Sequence, residues 1–490
     1  MRAICAAVAF QIVLLNVMLD QAISQEQPIA LHPENGRYFF WRERPTILVT
    51  SGEHYGAVLN LDFDFERYLA ALAADGLNHT RLFSGTYREV PGSFGITDNT
   101  LAPLSGRFVC PWAASDTPGY SRGGNKFDLS RWDEAYFDRL RRFMTVARRH
   151  GVVVEYNLFC PLYDKHVWAA SPMNSVNNVN GIGNCPRDET LSLKHPKIVD
   201  IQLAFVRKLV QEMNEFDNLY YEVCNEPYVR TLSDDWQNRI VDEIVATEQD
   251  LPHRHLISLN VANGRKKVEN PHPAVSIFNF HYCVPPDAVA LNYGLSKVIG
   301  ENETGFRGKD DFLYRNEAWN FLLAGGALFN NLDYSFTPSH PAGDFLDYES
   351  PGGGSPALRK QLGILKRFIE SFDFVRMKPD SSLVSDVSDG LAARVLAEQS
   401  RAYAIYLHVP LPHKLERIED YFREESEGTI TLDIPSGRYC TEWVDVITGK
   451  VASTQELVHP GGSVKMQSPK FTHDIALRIL ASDGPNASSP

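Results

Sequence analysis

Leu219-Tyr220-Tyr221-Glu222-Val223-Cys224 runs without a break into Asn225-Glu226-Pro227. A short apolar and aromatic run that stops at a polar tripeptide ending in Pro reads as an extended strand with chemistry at its carboxyl end. Just upstream, Ile201, Phe205, Leu209 and Met213 recur every four residues, so an amphipathic helix feeds the strand. Similar extended segments are read at 46–50, 78–83, 152–159, 255–261, 275–282, 297–300 and 327–334. Helices are read between several of them. The clearest runs from Ser130 as N-cap, with Asp133 three residues on, to Gly151, and carries Trp132, Tyr136, Leu140, Phe143 and Ala147 on one stripe. Residues 357–372 form the last helix of the series. Eight strands alternating with helices predict an α/β fold, a closed (β/α)8 TIM barrel. An open dinucleotide-binding sheet would need its phosphate turn, and Gly181-Ile182-Gly183 lacks the third glycine.

Around this centre the pattern changes twice. Asn35-Gly36 is a type I′ hairpin signal within residues 28–45, which predicts a small β lid ahead of the barrel. Beyond Pro379 short strands are read at 391–396, 403–409, 429–434, 439–444 and 475–480, which predicts a β-sandwich. The domain reading is therefore a barrel with its hairpin over 25–378 and a sandwich over 379–484. Residues 1–24 read as a removable signal peptide: Arg2, an apolar run, then Ala22-Ile23-Ser24. That run is too short for a membrane span, so the mature protein is expected to be soluble and secreted or periplasmic.

The chain has 490 residues, 43% of them hydrophobic and 22% charged, with a net charge of -13. This excludes disorder and argues against a nucleic-acid partner, whose phosphates attract basic surfaces. The cysteines form no CxxC pair and show no zinc spacing, and Cys224 reads as a buried thiol. No metal and no cofactor is expected.

Catalytic groups of such barrels sit at the carboxyl ends of the strands. Glu226 follows the fourth strand, and Glu301 and Glu303 follow the seventh, in Gly300-Glu301-Asn302-Glu303-Thr304-Gly305. Two carboxylates facing each other across the mouth suit glycoside hydrolysis, in which one protonates the departing oxygen and the other attacks or activates water. A second carboxylate nearby is expected to raise the pKa of the acid. Strand parity puts Glu301 and Glu303 on one face and cannot choose between them; Glu303 lies farther towards the mouth.

Asn225-Glu226-Pro227 and the strand-seven glutamate before a glycine resemble the retaining glycoside hydrolases of clan A, which include the family 5 cellulases. The resemblance spans about residues 28–375. It implies that Glu226 is the general acid/base, that Glu303 is the nucleophile and that Asn225 binds the hydroxyl beside the anomeric carbon. It also implies that Arg81 fixes the nucleophile's charge and that His281 or Tyr282 hydrogen-bonds it. Glu301 and His54 are further candidates for orienting the site or binding sugar. Glu53, Tyr55, Asp333 and Tyr334 are candidate hydroxyl ligands, and Trp112, Trp168 and Tyr228 candidate stacking platforms. Ser436-Gly437-Arg438-Tyr439, Trp443 and Thr448-Gly449-Lys450 are similar to the collagen-binding type of sandwich that follows apiosidase-like barrels. A secreted glycosidase acting on a poly- or oligosaccharide is the expected function, with a non-catalytic carbohydrate-binding or adhesion protein as the alternative.

Overall fold

The computed structural model describes residues 27–229 and 232–482; the signal segment read at 1–24 lies outside them. Eight parallel strands carry the architecture: β1 Leu48–Gly52, β2 His79–Phe83, β3 Val153–Phe159, β4 Leu219–Cys224, β5 Ile257–Asn263, β6 Val275–His281, β7 Val298–Thr304 and β8 Leu328–Leu332. They pair in the order β1-β8-β7-β6-β5-β4-β3-β2. The remaining seam, between β1 and β2, is closed by Asn78. Its side chain accepts from Val49 N at 3.0 Å and donates to Ile47 O at 2.9 Å, and its backbone N–H reaches Val49 O at 3.3 Å. The predicted (β/α)8 barrel is the observed fold.

Helices pack outside the strands with Leu, Ile, Val and Phe inward, as in Pro196–Met213, which buries Phe205, Val206, Leu209 and Met213. The helix predicted from Ser130 starts later, at Glu134–Arg149. Asp133 is its N-cap and accepts from Ala135 N and Tyr136 N. Ser130 belongs instead to a strand, Asn125–Trp132, that pairs with Trp112–Pro118. Gly151 stands just past the helix in left-handed backbone, as expected.

The amino-terminal segment is a floor, not a lid over the mouth. Ala30–Leu31, Phe39–Trp41 and Arg44–Thr46 form a three-stranded sheet. It is tied to Asp217, immediately before β4: Ile29 N donates to Asp217 O and Trp41 Nε1 to Asp217 Oδ2, both at 2.9 Å. The two-residue turn with positive φ is Arg42-Glu43, between paired Trp41 and Arg44, rather than Asn35-Gly36. Gly36 is required for another reason, since a Cβ there would lie 2.7 Å from Ser296 O.

After the barrel, Lys378–Pro379, Ala392–Glu398, Ala402–His408, Asp474–Ala481, Gly437–Val444 and Val451–His459 form one antiparallel sheet in that order. Val384–Val387, Thr429–Ile434 and Gly462–Gln467 form a second. Ile405, Leu407, Ile430, Leu432, Trp443 and Leu477 pack between them. This sandwich docks on barrel helix Asp311–Leu323, in which every residue after Asp311 is buried. Arg315 forks onto Asp474 with two 2.8 Å contacts, and Trp319 stacks on Tyr406 at 5.1 Å. Arg307, in the loop after β7, donates to Pro412 O at 2.9 Å. No helix among the described residues is long and apolar enough to cross a membrane.

Candidate active site

Strand β7 decides which glutamate faces the mouth. Its pairing with β6 runs Phe280 to Glu301 and then His281 to Glu303, so Asn302 is an extra residue in a bulge. The bulge breaks the alternation that would put Glu301 and Glu303 on one face. Asn302 points into the lumen, where its amide donates to Glu155 and Glu222 at 2.7 Å. Glu303 turns into the mouth. Glu301 points outward to the helix layer, accepts from Cys283 N at 2.5 Å and shares its burial with Glu317. Desolvation and the Glu317 charge raise the Glu301 carboxyl well above the usual range. The expectation that Glu301 binds sugar or orients the nucleophile is therefore corrected: it lies behind the strand.

Three donors converge on Glu303. Tyr282 Oη donates to Oε1 at 2.7 Å, while Arg81 Nη1 at 3.1 Å and Tyr55 Oη at 3.3 Å reach Oε2. Arg81 is buried, and it also donates to Glu155 at 2.7 Å, to Asn225 Oδ1 at 2.8 Å and to Glu222. One guanidinium cannot neutralise three carboxylates. Burial and the neighbouring Glu155 charge, outweighing Arg81, raise the Glu222 carboxyl above its ordinary value, while Arg81, Asn157, Asn279 and Asn302 all donate to its oxygens. Burial also opposes ionisation of Glu155, but Arg81 and His79 overcome it and hold this carboxyl below its ordinary value. Arg81 thus ties Glu155, Glu222 and Glu303 into one buried hydrogen-bonded cluster.

Glu226 leaves β4 in left-handed backbone, φ 38°, with its N–H donating to Asn260 Oδ1 at 3.0 Å. This sharp exit swings the carboxylate over the barrel. Tyr163 Oη donates to Oε2 at 2.7 Å, and His281 Nδ1 lies 3.1 Å from Oε1 and 3.4 Å from Glu303 Oε1. Burial alone would raise the Glu226 pKa. The His281 contact, the Tyr163 hydroxyl and the Arg81 charge outweigh it and hold the carboxyl below its usual value. This reverses the sequence expectation, because an imidazole separates the two carboxylates. His281 therefore contacts the acid/base candidate more closely than the nucleophile, while Tyr282 binds Glu303, as one of the two was expected to do. Asn225 sits between Arg81 and Tyr163, to which its amide donates at 2.8 Å.

His54, Tyr55, Glu89, Phe94, Tyr163 and Phe306 are among the residues around a pocket whose empty space, open mouth included, is about 410 Å³; Glu226 and Glu303 lie at its base. His54 faces the pocket through a pair with Glu89, at 3.2 and 3.3 Å. Other expected ligands serve the scaffold. Glu53 accepts from Gly56 N and Ala57 N, and Asp333 holds Ser51, Ser335 and Arg359. Trp112 is fully buried in the core and Trp168 packs against its edge, so neither is a platform. Tyr334 is buried beside His54.

Sequence reasoning missed Glu155, Glu222, Asn302, Tyr163 and Glu89. For the strand residues a signal was present: Glu155 and Asn157, Tyr220 and Glu222, and Asn279 and His281 are polar positions two apart in apolar strands. Ligand atoms of Glu226, His281 and Glu303 lie within 4.8 Å of one another, a spacing a divalent cation would also accept. Hydrogen bonding already accounts for this spacing.

The sequence matches no protein-family model and no curated protein. Solved structures do share the architecture. A candidate glycoside hydrolase from Bacteroides vulgatus superposes with a TM-score of 0.63 at 14% identity, over 94% of this chain and 83% of its own. A second glycoside hydrolase gives 0.61 at 15% identity, over 94% and 98%. A family 5 glycoside hydrolase from Bacteroides vulgatus gives 0.61 at 13%, over 94% of both chains. At such identities the likeness establishes a common fold of barrel and sandwich.

Proposed function

We propose that this protein hydrolyses O-glycosidic bonds of a poly- or oligosaccharide by a retaining double displacement, with Glu303 as nucleophile and Glu226 as general acid/base. One observation carries the reading: oxygens of Glu226 and Glu303, from the ends of β4 and β7, lie within 4.8 Å of each other in one pocket. Retaining enzymes place their carboxyl groups about 5–5.5 Å apart, and inverting ones about 6.5–9.5 Å to admit a water. The fold shared with glycoside hydrolases adds support by analogy.

The residues divide the work as follows. Arg81, Tyr55 and Tyr282 aim Glu303 by donating to its two carboxyl oxygens. Glu226, protonated, gives its proton to the departing oxygen while a Glu303 oxygen bonds the anomeric carbon. In the second step Glu226 takes a proton from water, which displaces Glu303 and restores both groups. Asn225, clamped between Arg81 and Tyr163, presents its amide beside the reacting ring. The low pKa of Glu226 means that its acid form is populated on the acid side of neutrality. We further propose export after loss of residues 1–24, and an apiosidase-like placement supported by the order of barrel and sandwich.

Proton NMR of the first-formed product on a cleaved glycoside tests the mechanism. Retention at the anomeric carbon is expected, and inversion would replace Glu303 attack with base-activated water.

A further inference from the structure

The acid must stand beside the leaving oxygen, so the aglycone lies on the Glu226 side of the pocket, among the loops after β3, β4 and β5. The glycone then occupies the opposite side, against β8, β1 and β2. That side is walled. The loop after β2 and the loop after β8 are stitched together over β1: Thr97 N donates to Glu349 O at 2.9 Å, Glu349 N to Thr97 Oγ1 at 2.9 Å, and Ser339 N to Asp98 Oδ2 at 3.0 Å. Inside the wall, Glu89 is fixed by His54, by Tyr87 Oη at 3.1 Å and by Asn99 Nδ2 at 2.5 Å. This hydrogen-bonded wall stands where a sugar chain extending beyond the glycone would have to pass.

The remaining space agrees. The pocket's empty space is about 410 Å³ with its open, solvent-facing mouth counted, so the enclosed part is smaller still. Phe94 and Phe306 narrow the mouth, with ring centres 6.4 Å apart. Both are about half exposed and both sit in left-handed backbone, φ 55° and 57°, a conformation that bulky residues adopt at a cost. The lining carries the carboxylates of Glu89, Glu226 and Glu303 and, among the described residues, no Lys or Arg.

From this geometry we propose that the site is exo-acting: it accepts a single neutral sugar, the terminal unit of a chain, as its glycone and releases that unit alone. The inference rests on the glycosidase reading and adds to it the position of cleavage and the charge of the sugar.

The test uses the full-length mature protein and 4-nitrophenyl glycosides of neutral monosaccharides. For each sugar, cleaved or not, it adds the 4-nitrophenyl glycoside of the corresponding disaccharide and of the corresponding uronic acid. The disaccharide compound should lose its terminal sugar first and release 4-nitrophenol only after a lag, with no free disaccharide formed, and the uronide should be cleaved at least ~100-fold more slowly than the neutral monosaccharide compound. Prompt release of 4-nitrophenol with intact disaccharide would overturn exo action while leaving glycoside hydrolysis standing. Equal rates on sugar and uronide would overturn the requirement for a neutral glycone. Failure to cleave any glycoside would overturn the glycosidase reading, and this one with it.

Discussion

The lumen of the barrel and the shell around it are made by the same strands and differ in chemistry. Inside lie Arg81, Glu155, Glu222, Asn279 and Asn302, joined by hydrogen bonds. Outside lie Val154, Tyr156, Leu158, Val223 and Phe278, packed on helices. Interiors of such barrels are commonly filled by branched apolar side chains. Here a polar interior lies beneath Glu226 and Glu303, and the shell supplies the apolar burial. Glu303 and Glu301, two residues apart, fall on either side of that division and share almost nothing else.

Substitutions on the two sides should separate the roles. Glu303→Gln should lower kcat by roughly 10⁴-fold on a confirmed glycoside, because it removes the bond-forming oxygen. Unchanged turnover in this variant would remove the proposed nucleophile. Next in size is Arg81→Met, which leaves Glu155 and Glu303 buried without their cation and should cost about 3–5 kcal/mol in chemical denaturation. An unaltered denaturation midpoint would mean that the interior network is not held by charge.

His281→Asn acts at the boundary between the two carboxylates. It removes the contact that does most to lower the Glu226 pKa, so the basic limb of the pH–rate profile should move upward, towards neutrality. A limb that stays in place would assign the depression to Tyr163 or Arg81. Glu301→Gln, behind the strand, should leave turnover essentially unchanged. Its effect should appear in stability: a carboxyl whose folded pKa is raised loses its contribution as pH rises above the ordinary carboxyl value towards the folded one, so the variant's stability should fall less over that rise. Smallest of all, a chelator should leave the rate as it was; a loss restored by a divalent cation would assign Glu226, His281 and Glu303 to a metal instead.

Most strands were legible because β-rich apolar runs alternated with helical periodicity, and β4 was read to the residue. Glu226 and Glu303 were legible from their places at strand ends. The choice between Glu301 and Glu303 was not, because parity assumes an unbroken strand and the bulge at Asn302 is set by pairing with β6. Ser130 looked like an N-cap because the hairpin that claims it pairs with a strand about fifteen residues away in sequence. Glu89 and Tyr163 reach the site from loops, whose paths are fixed by tertiary contacts rather than local propensity. The direction of the Glu226 shift depended on an imidazole whose position no spacing in the sequence conveys.

Helix Asp311–Leu323 has apolar or paired residues on every side because the sandwich covers what would be its solvent face. A barrel severed from its carboxyl-terminal partner would present Trp319 and an unpaired Arg315 to water as an adhesive ridge. It would also lose the strut from Arg307 to Pro412 that steadies the threshold at Phe306. The appended module is thus the missing outer layer of the barrel, and trimming it would yield a stickier protein with a looser doorway.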